Sequence, residues 1–541
     1  MSVSPQPELM PLILEACGEK GYLDGPALER IARRLRIPVS RVYGFHAQFA
    51  ELAHPPQRPR VMVCTGPACA ARDSLDLLEG LRGRLRGVAE VVRDPGLTRP
   101  HRSPSLVIRL PGEGERMVQG VGASDLEDIA RSLERKDLSG YPPTEGDAPY
   151  PVARCGEEGL PPWLSSLQEG GSEPPLESSL LERVARDPAL LLEHLGGLRP
   201  DLSDLAAGAA PPLATLVCDT VGNSPENSPD LNLSLSCPRT VVAGAALAAV
   251  AMGAKDIVFY VPWHRAEAGE RIRRAAGEIL PGTGIRYCVF GGPVHIPCSR
   301  DIGVAAVLRG MMLWRAAALC GRESPRRMEP PLAVLDASSL WRLPWSVEGM
   351  SGMAEGNAGE TLLLAVPGEF PCWVELPRRV AAAELGRLLP GGAGKGKPKG
   401  LYVEGIAGGM FPVSEGGTEI PRGARKATVI EESTCTARWS LHLLGNLEEG
   451  CCGGCAPGRT APAVAARMLG DLVGGSGGGM ELRKLAALLL EAEGLALCPR
   501  LGEAFPAVRA CLENFGDDFR SYEEKEGFTA SAAQAAGEAT S

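Results

Sequence analysis

Cys451-Cys452-Gly453-Gly454-Cys455-Ala456-Pro457-Gly458-Arg459, answered forty residues beyond Gly458 by the isolated Cys498, is the stretch from which the rest of the chain is read. Thiolates two residues apart on a glycine-bearing turn can reach one metal centre together, and a 4Fe-4S cluster takes four such sulfurs. Cys452, Cys455 and Cys498 stand at the first, second and fourth places of such a set, and Gly458 occupies the third. The neighbouring Cys451 is the candidate substitute, with Cys511, a helical stretch further on, as a second. The candidate metal-ligating set is therefore Cys451, Cys452, Cys455 and Cys498. Four thiolates also suit tetrahedral zinc.

Working outward, 541 residues suffice for three or four domains, each with its own core. An apolar fraction of 44% with 23% charged residues is that of an ordinary folded protein, and 67 Gly with 47 Pro imply many turns. A net charge of -10 and a pI near 5.5 argue against a general nucleic-acid surface. Sixteen cysteines are too dilute for a disulfide scaffold, and Met1 to Pro11 has neither the apolar core nor the positive charge of a signal peptide. A reducing, cytoplasmic setting is expected. The longest apolar stretch, Thr240 to Ala254, is shorter than the roughly 18 residues a membrane span needs. It reads as a buried helix, and no direct membrane insertion is expected.

Helical periodicity marks residues 8–52, where Leu9, Leu12, Ile13, Leu28, Ile31 and Leu35 repeat at helical spacing. A strand is expected at Arg60 to Cys64, a helix at Ser74 to Leu85, a strand near Ser105 to Leu110 and a helix at Ser124 to Leu133. Residues 139–179, dense in Pro, Gly, Ser and Glu, read as a linker between two bodies. Beyond it, helices (Leu180 to Leu195, Thr240 to Gly253, Ala266 to Leu280) alternate with apolar strands (Leu213 to Cys218, Asp256 to Val261, Ile285 to Phe290), which implies an α/β layer. Thr361 to Pro412 reads as short strands around a helix at Val380 to Leu389. Residues 433–525 read as helical, with the cysteines in a loop between Trp439 to Leu447 and Ala463 to Leu472, and the tail from Phe528 as disordered.

Val42-Tyr43-Gly44-Phe45 after Ile37-Pro38, followed by Val63-Cys64-Thr65-Gly66-Pro67-Ala68-Cys69, resembles the thioredoxin-like 2Fe-2S subunit of bacterial complex I and NAD-linked hydrogenases over about residues 8–135. Residues 180–525 resemble the NADH-binding flavoprotein subunit of the same electron-input module. Its landmarks recur in order: Leu216-Val217-Cys218-Asp219, Gly253-Ala254-Lys255, Leu308-Arg309-Gly310, Ser324-Pro325-Arg326, Leu340-Trp341, Gly408-Gly409-Met410-Phe411-Pro412, Ser433-Thr434-Cys435 and the cysteine cluster. The resemblance implies a multidomain α/β chain: an N-terminal helical bundle with a thioredoxin-like domain (1–138), a linker (139–179), a flavoprotein-type α/β domain for FMN and NADH (180–350), a ubiquitin-like SLBB domain (351–425), a helical iron-sulfur domain (426–527) and a tail (528–541). It implies other subunits of a redox complex as partners, such as an iron-sulfur protein, hydrogenase or dehydrogenase subunit.

The departures set the functional expectation. The family's second cysteine pair falls at Thr98 to Ser105, which has no cysteine, so a 2Fe-2S cluster is not expected. Its glycine-rich flavin loop becomes Gly197-Leu198-Arg199-Pro200-Asp201-Leu202-Ser203-Asp204, with acidic residues where a phosphate would sit. Its acidic segment becomes Asp219-Thr220-Val221-Gly222-Asn223-Ser224-Pro225, its C-G-E-E-T element becomes Cys298-Ser299-Arg300-Asp301-Ile302, and a paired asparagine becomes Glu348-Gly349. FMN and NADH binding in the family's manner is therefore not expected, and no catalytic residue is assigned. Three functions stay open: a complex subunit that keeps one 4Fe-4S cluster, an active NADH-oxidising flavoprotein, and a metal-free scaffold. Cys64 and Cys69 read as small buried side chains or a redox pair. Cys218, Cys288, Cys298, Cys320 and Cys435 with Trp341, Trp345 and Trp373 read as core, His264 and His295 as structural or exposed, and Arg322 to Glu329 as a solvated loop.

Overall fold

The computed structural model describes residues 6–522 apart from 21–22, 50–58, 72–73, 95–103, 111–114, 142–151, 154–177, 190, 193–194, 196–201, 203–212, 223–227, 264, 322–324, 349–360, 367–371, 378, 382–384, 386–396, 405–407, 415, 422–425 and 476–481. The N-terminal periodicity produces three helices, Leu9–Lys20, Gly25–Leu35 and Val39–His46. Asp24 caps the second by accepting the Ala27 N–H at 2.8 Å, and Arg36 ends it in the left-handed conformation. The apolar stripe of that helix, Ala27, Leu28, Ile31 and Ala32, is buried. It does not face the unit that follows it in sequence. These helices share a core with Val217, Tyr260, Ile302, Val304 and Val334, far along the chain.

Strands β1 (Arg60–Cys64), β2 (Glu90–Asp94), β3 (Ser105–Arg109) and β4 (Glu115–Gln119) form a sheet of order β2-β1-β3-β4. β1 and β2 are parallel, and β3 runs antiparallel to both β1 and β4. Helices Ser74–Arg84 and Leu126–Arg135 bury Leu78, Leu81, Ile129 and Leu133 against Val61, Val63, Leu106 and Ile108. β1 and β3 fall where the apolar runs place them. β2 and β4 are edge strands, half exposed or polar, and carry too little apolar pattern to be read from sequence.

The expected linker contributes β5 (Val152–Ala153), which pairs in parallel with a strand of the third sheet described below. The second sheet is fully parallel, β6 (Thr215–Asp219), β7 (Asp256–Pro262), β8 (Arg286–Gly292) and β9 (Leu332–Asp336) in the order β8-β7-β6-β9. Burial on both faces explains runs such as Leu216-Val217-Cys218. Helix Pro238–Met252, nearly all buried, covers one face and presses on helix Ala337–Glu348 so closely that a Cβ on Gly244 would lie 1.8 Å from the Leu340 carbonyl oxygen. Among the described residues no single helix is long and apolar enough to cross a membrane.

The third sheet joins β10 (Thr361–Val366), β11 (Cys372–Pro377), β12 (Pro398–Val403), β13 (Gly409–Pro412) and β14 (Lys426–Glu431) with β5, in the order β13-β12-β14-β10-β11-β5. Most of the helix expected at Val380 to Leu389 lies outside the described residues, and Val380 itself bridges Thr418. The C-terminal region is helical as expected: Thr436–Gly450, Ala456–Val473, Leu482–Leu495 and Phe505–Asn514 close around Trp439, Leu444, Leu469, Leu489 and Phe505.

The thioredoxin-type unit docks on this bundle. Asn446 Nδ2 donates to the Thr65 carbonyl at 2.6 Å, while Thr65 Oγ1 and Asn446 Oδ1 are 2.6 Å apart, and Arg93 pairs with Glu449 at 3.5 Å. His442 is buried with no partner on either ring nitrogen, and burial, aided by the Arg93 and Arg438 charges, pushes its pKa down to about 3.

Replacing Gly244 with Ala forces the two helices apart and should cost about 1–3 kcal/mol. Gly83→Ala, in a helix position where a Cβ meets nothing within 4 Å, should be neutral or stabilising. Urea midpoints of the two variants check the contrast. For His442 the unfolded chain binds a proton that the folded one refuses, so its contribution is fully present above about pH 6.5 and is lost as pH falls toward 3. The pH slope of stability in that window should flatten by about 1.4 kcal/mol per pH unit in His442→Leu, and equal slopes would contradict the assignment.

Candidate functional site

The loop Pro293–Ser299 leaves β8 and enters helix Arg300–Leu308. Tyr260 fixes its start by donating a hydrogen bond to the Pro293 carbonyl at 2.8 Å, and Gly292 leaves room for the ring, since a Cβ there would lie 2.2 Å from it. Arg300 Nη1 donates to the Val294 carbonyl at 2.8 Å, and the Cys298 N–H to the Ile296 carbonyl at 2.8 Å. Gly303 admits Ile296, whose Cγ2 would be 2.2 Å from a Cβ at that position. The loop is thus held at several points, and it aims Cys298 toward the C-terminal bundle.

Cys451 to Cys455 form the loop between helices Thr436–Gly450 and Ala456–Val473. Gly453 takes a φ of +65°, and Gly454 lets the loop rest on Trp314, where a Cβ would lie 2.4 Å from the Trp314 Cβ. Cys498 arrives from the opposite side, just ahead of the short helix Pro499–Glu503.

One partly open pocket collects these elements, lined by Cys298, Cys451, Cys452, Cys455, Cys498 and Arg500 together with Gly458. All four sequence-derived ligand candidates border it. Cys511 does not; it is buried within the helical core. Cys298 is buried as a core residue should be, yet its thiol is within hydrogen-bonding reach of both Cys452 and Cys498. The Cys298 thiol, helped by the Gly454 N–H, outweighs burial and lowers Cys452 to about 6. The same thiol, with the Arg500 and Ser299 N–H groups, lowers Cys498 to about 7 against burial. Those contacts with Cys452 and Cys498, reinforced by burial, push the Cys298 thiol itself well up. Burial pushes Cys451 up to about 12, partly opposed by Arg500.

Arg500 is partly buried and paired with Glu503, while its enclosed Nε has no hydrogen-bond partner. A partly buried guanidinium with an unused donor beside five cysteines fits an anionic sulfur-rich group. Among the described residues no group of three or more His, Cys, Asp or Glu side chains converges closely enough to hold a metal ion, so the sulfurs surround a space and do not meet at a point. Neither Cys298 nor Arg500 is marked as a ligand or partner by sequence spacing, because the contact depends on how two domains pack.

The C-terminal ends of the parallel strands, where β6 and β9 flank the switch in strand order, form the usual ligand crevice of such a sheet. Here Asp219, at the end of β6, forms a two-pronged ion pair with Arg300 at 2.8 and 3.0 Å, both side chains being nearly inaccessible. Arg300 also lies over the Tyr260 ring, 5.3 Å from its centroid. Asp336 Oδ1 accepts the Ser339 N–H at 2.8 Å, and Asp230 Oδ1 the Ser338 N–H at 2.8 Å. Burial and Asp336 together raise the Asp230 carboxyl. Three carboxylates thus line this edge. The flavin-loop counterpart lies outside the described residues except Leu202, as do Asn223 to Pro225, Gly349 and the side chain of Glu348.

Cys64 and Cys69 are buried and free of a disulfide, and most of Thr98 to Ser105 lies outside the described residues. Cys218 and Cys320 are core residues, and Cys435 contacts the Tyr522 hydroxyl at 3.5 Å. Cys288, expected in the core, is exposed because it lies on edge strand β8, whose first residues are uncovered. Trp341 packs in the core, and the side chains of Trp345 and Trp373 lie outside the described residues. His295 pairs with Asp94 at 3.0 Å, and His264 lies outside the described residues, as do residues 322–324 of the expected charged loop.

Residues 3–98 match the thioredoxin-like [2Fe-2S] ferredoxin family and residues 440–522 the NADH-ubiquinone oxidoreductase-F iron-sulfur binding region. The chain is 22% identical to an NADH-quinone oxidoreductase subunit of Rhizobium meliloti (strain 1021) over 346 residues, 57% of this chain and 80% of that one. Its fold is similar to that of a chain in the NAD+-reducing [NiFe]-hydrogenase: TM-score 0.70 and 17% identity for the air-oxidised state, covering 96% of this chain and 94% of that one, and TM-score 0.69 for the H2-reduced state. The chain thus combines a thioredoxin-like 2Fe-2S-type region with a region of the NADH-ubiquinone oxidoreductase iron-sulfur type, and it shares its fold with the hydrogenase chain.

Removing Arg300 as Met leaves the Asp219 carboxylate buried and unpaired, which should destabilise the chain by about 3–5 kcal/mol. Arg300→Met combined with Asp219→Leu should recover most of that loss in urea unfolding. An Arg300→Met chain as stable as the wild type would contradict the pair's structural role.

Proposed function

We propose that this chain is a subunit of an NADH dehydrogenase-type redox complex that relays electrons through a 4Fe-4S cluster in the cysteine cavity and has lost the family's own hydride-transfer site. The observation that carries this reading is the lining of one pocket by five cysteines and the partly buried, incompletely paired Arg500. Cys452, Cys455 and Cys498 would bind, with Cys451 the fourth ligand that sequence alone suggests. Such a cluster accepts and passes single electrons. The N–H groups of Gly454, Arg500 and Ser299 orient the sulfurs, and the Arg500 charge offsets theirs.

Loss of the flavin site is supported by the crevice itself. Arg300, which stands at the first glutamate of the C-G-E-E-T element, is committed to Asp219, and the neighbouring carboxylates would repel a flavin phosphate. The partners would be the other subunits of the complex, an iron-sulfur protein and a hydrogenase or dehydrogenase subunit, in the cytoplasm.

Anaerobically purified protein should contain about four irons and four sulfides per chain, with a broad visible absorption and no flavin. A flavin spectrum that bleaches with NADH would replace this reading with an active flavoprotein. Colourless, iron-free protein would leave a scaffold.

A further inference from the structure

Gly458 leaves the cysteine set one thiolate short, and the cavity offers two replacements that sequence alone ranks in the wrong spatial order. Cys451 is adjacent in the chain, but it caps helix Thr436–Gly450 in extended geometry, φ −90° and ψ 133°. Successive side chains on extended backbone point to opposite sides. Cys452 faces the apolar core shared with the α/β domain, whereas Cys451 packs among the core residues of the helical bundle. Cys298 belongs to the same core as Cys452 and Cys498, and its thiol reaches both.

We infer that Cys298, presented by the Pro293–Ser299 loop of the α/β domain, is the fourth thiolate ligand of the cluster and takes the place vacated at Gly458. This inference rests on the proposed cluster. The missing position itself faces the cavity, since a Cβ on Gly458 would lie 3.0 Å from the Cys455 Sγ. The vacancy is therefore filled across a domain boundary. The Ser299 N–H already reaches Cys498, so the segment that would supply the fourth sulfur also orients another. Ligation exchanges the S–H bond of Cys298 for an S–Fe bond and releases the proton to solvent, with no change of oxidation state at sulfur. A cluster held this way ties the helical bundle to the α/β domain through a coordinate bond.

The test uses the full chain reconstituted anaerobically with ferrous iron and sulfide, read by iron and acid-labile sulfide content and by electron paramagnetic resonance before and after dithionite reduction. Wild type should hold about four irons. Cys298→Ser should lose about one iron in four, with a three-iron signal in the oxidised state, or lose the cluster altogether, while Cys451→Ser should match wild type. Adding Gly458→Cys to the Cys298→Ser chain should restore about four irons and the wild-type reduced spectrum. Cys298→Ser with unchanged iron and an unchanged spectrum overturns the inference, as does loss confined to Cys451→Ser. Failure of the Gly458→Cys rescue in protein with a wild-type circular dichroism spectrum also overturns it. Wild type that takes up no iron is a different result and removes the cluster reading itself.

Discussion

The packing of the cysteine loop against the α/β domain is the contact on which the candidate site depends. Gly454 rests on Trp314, the Ser299 N–H reaches Cys498, and the Cys298 thiol lies between Cys452 and Cys498. Each contact crosses from helical bundle to α/β domain, so the cavity exists only while the two are docked. Sulfurs drawn together in a low-dielectric space repel as thiolates and gain little as thiols. Such a concentration beside a partly buried guanidinium suits an anionic metal-sulfur group.

The crevice at the parallel strand ends took a different course. Its charges are satisfied internally: Asp219 by Arg300, Asp336 and Asp230 by backbone N–H groups at the start of the next helix. A buried ion pair of this geometry strongly resists losing one partner, and a ligand that needed either group would have to displace the other. Two regions of one domain, a few residues apart in sequence, thus diverge in chemistry. Cys298 lines a pocket rich in sulfur donors, and Arg300 is committed to Asp219.

Much of the architecture was legible because it rests on local pattern. The runs Leu216-Val217-Cys218 and Ile257-Val258-Phe259 mark strands buried on both faces, and the Thr240 stretch marks the helix covering them. Edge strands β2 and β4 and the two-residue β5 were not legible, since their pairing is stabilised by neighbours and not by their own apolar content. The destination of the N-terminal helices was equally hidden. An amphipathic stripe such as Ala27, Leu28, Ile31 and Ala32 states that a face is buried, but not against what.

The sequence by itself determined which elements form and that Cys452, Cys455 and Cys498 carry metal-site spacing, because helix period, strand alternation and short-range thiol spacing are local properties of the chain. Only the tertiary structure decided that Cys298 lines the same pocket, that Cys451 also packs against the helical core, and that Arg300 meets Asp219. Those pairs are separated by scores of residues, and they meet because domains dock through shape and burial that no local motif encodes.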